Sequence, residues 1–267
     1  MLLFMQIITK QTNMKKIICF LSISLVLVSC SGDEDSASVE TSGGHLIKTI
    51  VTDRDGTVTT NYTYDGDKIV GYTDSDGFRS VYTYTGDLIT KWEEFDGDES
   101  FSLDTFTYDG SGRLVRHVFD SDEIKQKYEY THNSDGTILV KHYNMDSNSG
   151  VYVFSHDAKI YDNKIEENVP AYPGSPAFVD TQTFTYDDKH NPFMNVTGFD
   201  KIAFLGDTST KNYTNNELLV VSTTTRGVTQ TLATTTYTYN AANLPITSTE
   251  MGMFEQEGVI STQYFYE

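Results

Sequence analysis

Six histidines and 38 acidic residues are the side chains whose chemistry could support a metal site or acid–base catalysis. The segments Asp53-Arg54-Asp55-Gly56 and Asp74-Ser75-Asp76-Gly77 resemble the start of a calcium loop, but they lack its later ligands and its bidentate glutamate. No histidine pair has a ligand spacing joined to a cysteine or carboxylate partner. We therefore predict turns and no metal site, although folding could still bring His117 and His142 together. The histidines are His45, His117, His132, His142, His156 and His190.

Adjacent carboxylates occur at Glu93-Glu94 and Glu166-Glu167. A glycosidase uses a pair of carboxylates as its acid and its base, so these pairs are candidates for that role. Neighbouring residues of a strand point to opposite faces, so neither pair can form a catalytic dyad by itself. The chain also has no nucleophile elbow, no phosphate-binding glycine loop and no zinc-protease motif. The sequence therefore predicts a non-catalytic protein without a cofactor, and a glycan-acting enzyme is the weaker alternative.

Aromatic residues make up 13% of the chain and are its best candidates for ligand binding. Their rings stack on sugars and peptides and lose little conformational entropy when they do so. We expect the regularly spaced tyrosines to form the core. Trp92, Tyr172 and Phe178 lie outside that regular pattern, so we predict that they are exposed and contact a ligand.

The N-terminus has the pattern of a secretory signal peptide. Met14-Lys15-Lys16 is basic, and residues 17–28 form an apolar run too short to span a bilayer comfortably. The run ends in Leu27-Val28-Ser29-Cys30, which resembles the lipobox of bacterial lipoproteins. That resemblance implies a signal peptide over residues 1–29, with Met14 as an alternative start, and a diacylated Cys30. A chance cysteine or an uncleaved anchor is the alternative.

An acidic segment follows the predicted lipidation site, and its low hydrophobicity predicts a flexible tether over residues 30–44. Its start, Ser31-Gly32-Asp33-Glu34-Asp35, resembles the signal that sends some lipoproteins to the outer face of the outer membrane. Asp35-Ser36-Ala37 resembles a short O-glycosylation motif, which implies a glycan on Ser36. We therefore expect an outer-membrane lipoprotein exposed on the cell surface, with a periplasm-facing protein as the alternative.

Net charge excludes one class of partner. The formal charge is -19, and loss of residues 1–29 would remove three lysines and no acid, which leaves -22. Such a surface repels phosphate backbones, so we expect no nucleic-acid partner. The two cysteines are Cys19 and Cys30, so the mature domain has no disulfide and depends on burial and hydrogen bonding.

The rest of the chain alternates between strand and turn patterns. Aromatic pairs at positions i and i+2, which share one face of a strand, recur with Asp-Gly turns between them. We predict an all-β domain over residues 45–267, regular over 45–150 and irregular over 151–267. It is an antiparallel meander of about nine hairpins that forms a curled open sheet or a barrel-like strip. The pairs are Tyr62/Tyr64, Tyr82/Tyr84, Phe106/Tyr108, Tyr128/Tyr130, Phe184/Tyr186, Tyr237/Tyr239 and Tyr264/Tyr266.

Two of these repeats resemble a known family. Tyr62-Thr63-Tyr64-Asp65-Gly66 and the longer segment from Phe106 through Gly112-Arg113-Leu114 are similar to the tyrosine-aspartate (YD) repeats of Rhs and teneurin shells. That resemblance implies a long strip of antiparallel hairpins that curls on itself.

The irregular half contains all five prolines. Proline removes a donor from the strand ladder, so we expect a loop or edge excursion over residues 166–176. Apolar residues spaced by three or four predict a short helix within residues 193–205, and another core strand is the alternative.

These features predict a non-catalytic, lipid-anchored envelope protein, attached to the membrane through its N-terminal lipid. Its predicted role is a surface binding or adhesion module for a glycan or an envelope protein. The alternative is a structural or assembly component without a small ligand. A transmembrane barrel is disfavoured, because the strands carry Thr, Asp and Lys on both faces.

Overall fold

The fold is described from a computed structural model that covers residues 44–171, 175–206, 209–252 and 258–267. The predicted signal peptide, the predicted modification sites Cys30 and Ser36, and nearly all of the predicted tether lie outside these residues. No helix among the described residues is long and apolar enough to cross a membrane.

Sixteen strands and one short helix make up the described chain. The strands are β1 (Leu46–Thr52), β2 (Thr57–Asp65), β3 (Lys68–Asp74), β4 (Phe78–Thr85), β5 (Leu88–Asp96), β6 (Glu99–Tyr108), β7 (Leu114–Ser121), β8 (Lys125–His132), β9 (Ile138–Asp146), β10 (Val151–Ile160), β11 (Lys164–Val169), β12 (Phe178–Tyr186), β13 (Glu217–Thr224), β14 (Thr229–Tyr239), β15 (Pro245–Gly252) and β16 (Val259–Tyr266), and the helix α1 is Phe199–Ile202.

Every strand pairs antiparallel with its neighbours in sequence, and β1 also pairs with β16, which closes the sheet into a barrel. Lys48 of β1 lies opposite Asn61 of β2 on one side and Phe265 of β16 on the other. The predicted antiparallel meander is confirmed, whereas the open-sheet alternative is wrong. Closure pairs the backbone groups that an open sheet would leave at its two edges. Sixteen strands form eight hairpins, fewer than the nine expected.

The paired aromatic residues face the barrel interior, as their spacing predicts. Tyr62 lies opposite Tyr72, and Tyr82 lies opposite Trp92. The hydroxyl of Tyr108 donates to the carbonyl of Ile89, 2.6 Å away. The i and i+2 positions therefore place rows of rings around the inside of the barrel, and the residues between them, mostly Thr, lie on the outside.

Glycine sets the tight turns, but in a different way from the one expected. Asp65 and Lys68 pair across the two-residue loop of Gly66 and Asp67, where Gly66 has φ 58°. Among the described residues, Asn243 is the only one besides glycine with positive φ. Glycine is thus the first residue of this loop and has positive φ whereas Asp67 does not, which is the type II′ pattern.

One end of the barrel is covered by the β12–β13 connection, residues 187–216, here called the cap segment. It contains α1, which confirms the helix predicted within residues 193–205. Its polar contacts reach turns all around this end: Thr197 to Asp67, Lys211 to Gly136 and Asp162, and His190 to Asn243.

Apolar side chains of the cap segment pack on the interior rings. Phe193 contacts Tyr62 edge-on at 5.5 Å, and Phe204 contacts Tyr130 in the same way at 5.6 Å. Phe199 lies 6.0 Å from Tyr82. The cap segment thereby seals this end with a hydrophobic layer.

The predicted excursion over residues 166–176 is shorter in the structure. β11 continues to Val169, paired with Phe178, and the loop begins at Pro170. Its first four residues pair normally because the prolines start only at position 170.

Candidate functional site

The barrel interior, here called the lumen, changes from apolar to polar along its axis. The opposite end is bordered by the turns that follow β1, β3, β5, β7, β9 and β13, such as Asp53–Gly56 and Asp74–Gly77. Inward positions next to the cap segment are Ile69, Ile89, Leu114, Ile138, Ile160 and Ile165. Inward positions nearer the opposite end include Glu94, Asp104, His142, His156, Glu167 and Asp180.

A continuous row of rings and ionisable groups crosses the polar part of the lumen from β5 to β11. We call it the lumen row. It consists of Glu94, Asp104, His117, Tyr128, His142, His156 and Glu167. Each member lies on the strand next to that of its neighbour, so the row depends on the register of six consecutive strand pairs.

An Asp–His pair is the centre of the lumen row. His117 Nε2 lies 2.5 Å from Asp104 Oδ1, and both side chains are 7% exposed. The imidazole ring is stacked between Phe106, at 5.2 Å, and Tyr128, at 5.3 Å. In the tautomer whose Nε2–H donates to the carboxylate, Nδ1 carries no proton and is an acceptor. No described residue forms a hydrogen bond with His117 Nδ1.

Two further histidines continue the row beyond Tyr128. The ring of Tyr128 stacks on His142 at 4.5 Å, so His117 and His142 lie on either side of one tyrosine. His142 Nδ1 is 3.4 Å from His156 Nε2, which is also 3.4 Å from a carboxylate oxygen of Glu167. The contact between the two histidines needs one donor nitrogen and one acceptor nitrogen.

At the other end of the row, Glu94 is held by two hydroxyl donors. Tyr72 donates to one carboxylate oxygen at 2.7 Å and Ser102 to the other at 2.9 Å. Burial raises the pKa of the Glu94 carboxyl, and these two hydrogen bonds and the nearby Asp104 change it less. The expected separation of Glu93 from Glu94 is confirmed, since Glu93 accepts from Ser100 on the exposed side.

Charge is divided between the two faces of the barrel wall. Acids occur on both faces, and Glu94 and Asp104 are among those that face the lumen, whereas the basic residues of the described strands pair with outward residues. Lys141, for example, lies opposite Glu129 and Asp157. The outward basic residues are Lys48, Lys68, Arg79, Lys91, Arg116, Lys125, Lys127, Lys141, Lys159 and Lys164.

The three aromatic residues predicted to bind a ligand have different positions. The prediction that Trp92 is exposed is wrong: its side chain faces the lumen, stacks on Tyr82 at 5.6 Å and is 5% exposed. It looked irregular because the bulged strand β5 shifts its position relative to the paired tyrosines. Tyr172 lies outside the described residues. A binding role for each stays a prediction.

Phe178 lies at the polar end of the barrel beside a cavity of about 460 Å³. The guanidinium of Arg226 lies over its ring, 4.1 Å from the ring centre. His156 of the lumen row lines the same cavity, together with Val169 and Pro170. Phe178 is therefore placed where a ligand entering this end could reach it.

Sequence reasoning missed Asp104 and the role of His117 as its partner. The two are 13 positions apart, and only the β6–β7 register brings them together. The one available signal was that His117 and His142 stand at inward positions of successive hairpins. Among the described residues, no group of three or more His, Cys, Asp and Glu side chains is arranged to hold a metal ion.

Comparison with known proteins identifies the fold. A porin-like protein from Bacteroides vulgatus ATCC 8482 aligns with a TM-score of 0.58 and 12% identity, over 84% of this chain and 99% of that one. A Bacteroides fragilis NCTC 9343 protein of unknown function aligns over 72% of this chain and 90% of that one, with 11% identity and a TM-score of only 0.17. No protein-family model and no curated protein matches the chain.

The chain thus has a porin-like β-barrel fold, and the resemblance to YD repeats is wrong. The closed sixteen-strand barrel aligns with the porin-like protein, and no repeat family matches. A local cause explains the misleading motif. Asp109 accepts hydrogen bonds from the backbone N–H groups of Ser111 and Arg113 and forms an ion pair with the Arg113 side chain at 2.7 Å. The motif therefore stabilises a turn.

Proposed function

We propose that this protein is a non-catalytic, lipid-anchored envelope protein whose barrel is a binding cup for a glycan or a peptide. The observation that carries the proposal is the lumen, which is sealed at one end by the cap segment and lined with rings and acids toward the other. A sealed end is unsuited to a through-channel and suited to holding a ligand. Rings such as Trp92 and Tyr128 offer flat apolar area, and the carboxylates beside them accept hydrogen bonds.

Attachment through Cys30 at the outer membrane is part of the same proposal. The similarity to a porin-like protein supports that membrane. The outward face, however, is interrupted by charged side chains such as Arg116, Lys141 and Glu129, whereas a lipid-facing wall carries a continuous apolar band. This favours a lipid anchor over insertion of the strands. Protease added to intact cells should degrade the protein; protection until the outer membrane is broken would instead support a periplasm-facing position.

The binding proposal can be tested with a matched pair of tyrosines. Tyr128 faces the lumen, whereas Tyr143 faces outward beside Lys127, whose ammonium lies 4.0 Å from the ring centre. The protein is screened against glycan and peptide panels, and the affinity of each hit is measured for Tyr128→Ala and Tyr143→Ala. We expect about a tenfold loss for the first variant, the scale of a lost stacking contact, and no change for the second.

Two results would contradict the proposal. Equal affinities of the two variants would place the ligand outside the lumen. An absence of hits in both panels would favour the structural or assembly role. Circular dichroism on both variants confirms that any loss of affinity is measured on folded protein.

A further inference from the structure

We propose that the ligand of the lumen is an organic cation, bound through a protonated amine at the Asp104–His117 pair. This inference rests on the binding function proposed above and specifies the chemical class of the ligand. It combines the sign of the lumen charge, an unpaired acceptor atom and the rings around them.

The sign of the charge comes first. The described strands direct their lysines and arginines outward, while Glu94, Asp104, Glu167 and Asp180 face the lumen. Asp180 accepts from Ser222 at 2.7 Å and Glu94 accepts from two hydroxyls, so the donors that orient these two acids carry no charge. A low-dielectric wall of one sign attracts ligands of the opposite sign and repels anions.

His117 supplies an independent observation. Its side chain is 93% buried, its Nε2 is committed to Asp104, and its Nδ1 has no hydrogen-bond partner among the described residues. A buried polar atom without a partner is costly, and such atoms mark places where a ligand completes the bonding. Because Nδ1 is an acceptor in this tautomer, the missing group is a donor, as an ammonium N–H is.

Aromatic rings surround the same position. Asp104 lies opposite Trp92 on β5 and opposite Phe119 on β7, and His117 is stacked between Phe106 and Tyr128. An ammonium is attracted to the faces of such rings as well as to a carboxylate, and the combination is typical of amine recognition. A neutral ligand would gain from the rings and from its hydroxyl donors, but not from the attraction between a positive charge and the carboxylate.

The experiment uses ligands that differ in charge. Binding of a glucosamine tetramer, an N-acetylglucosamine tetramer and spermidine to the full-length protein is measured by calorimetry, at a pH where the amines are protonated. The two tetramers share a sugar backbone and differ in the amine, while spermidine presents amines without a sugar. We expect the amines to bind at least about tenfold more tightly than the acetylated tetramer, and more weakly as salt increases.

Variants locate the site. Asp104→Asn keeps the volume and a hydrogen-bond acceptor for His117 but removes the charge, and we expect it to weaken amine binding by about tenfold or more. The control is Glu129→Gln, which removes an outward carboxylate bonded to Lys127 and Tyr143 and should leave amine affinity unchanged.

Each outcome decides between the two proposals. If the acetylated tetramer, or a neutral ligand from the panels, binds as tightly as the amines, the charge inference is overturned and the binding cup stands. Amine binding that is equally strong in Asp104→Asn would also overturn the assignment to this pair. If neither the amines nor any panel ligand binds, both proposals fail.

Discussion

At the scale of single residues, Asp187 at the start of the cap segment forms hydrogen bonds with both ends of that segment and with β14. Its carboxylate accepts backbone N–H groups of Lys189 and Asn216, each at 3.0 Å, and the hydroxyl of Tyr239. Burial alone would raise the pKa of Asp187, but the hydrogen bonds from Tyr239 and Asn216 outweigh it and lower the pKa. The ionised form is therefore the one that stabilises the fold.

We predict that Asp187→Asn lowers the free energy of unfolding by about 2 kcal/mol at neutral pH, the scale of hydrogen bonds to a charged group. Because the folded pKa is depressed, this contribution is present above the unfolded value of about 4 and is lost as the pH falls through the folded value. Urea denaturation at neutral and acidic pH should show the difference between wild type and variant shrinking on acidification. A difference independent of pH would contradict the role of the charge.

Glu94 should show the opposite pH dependence, because burial raises its pKa in the folded state. Its stabilising contribution is complete below the unfolded value of about 4.3 and declines as the pH rises through the folded value. We predict that Glu94→Gln, which preserves an acceptor for Tyr72, loses this decline. The test measures the free energy of unfolding across that pH range for Glu94→Gln and for the outward control Glu93→Gln. If stability declines with pH in Glu94→Gln as it does in the wild type, another group is responsible for the decline.

At the scale of elements, the cap segment is where the chain departs from its repeating hairpins. Phe204 shows how the cap segment is held. It is 6% exposed and packs edge-on against Tyr130 and His132, at 5.6 and 6.1 Å between ring centres. These contacts take the place of strand pairing, which the described residues of the cap segment lack. The stability of this end therefore depends on side-chain packing.

We predict that Phe204→Ala destabilises the protein by about 3 to 5 kcal/mol, as truncation of a buried phenylalanine does. The matched control is Phe154→Ala on β10, where the ring is 52% exposed, and the expected cost there is less than about 1 kcal/mol. Thermal and urea unfolding compare the two variants directly. Equal costs would mean that the cap segment contributes little to the stability of the barrel.

At the scale of the whole molecule, the barrel and its attachment are separate properties. The lumen and outer wall are formed by the described residues, whereas the predicted anchor depends on Cys30, which lies outside them. We predict that radiolabelled fatty acid is incorporated into the wild type and not into Cys30→Ser. The variant should be absent from the membrane fraction, and its barrel should still fold. Equal labelling of both proteins would rule out lipidation at Cys30.

The sequence by itself determined the features that depend on near neighbours. The alternation around Tyr62/Tyr64 and Phe106/Tyr108 identified strands and the face that turns inward, because side chains alternate strictly along a strand. The same rule separated Glu93 from Glu94, and the spacing of apolar residues located the helix at Phe199–Ile202.

Only the tertiary structure decided how these strands combine. Closure through β1 and β16 joins segments about 200 residues apart, and no local pattern encodes it. The register across β6 to β10 aligns Asp104, His117 and His142 into one row, although single-residue slips would send each to the other face. Trp92 turned inward for the same reason. Functional neighbours in this barrel lie across strands, and the pairing of distant backbone segments, which no residue specifies alone, brings them together.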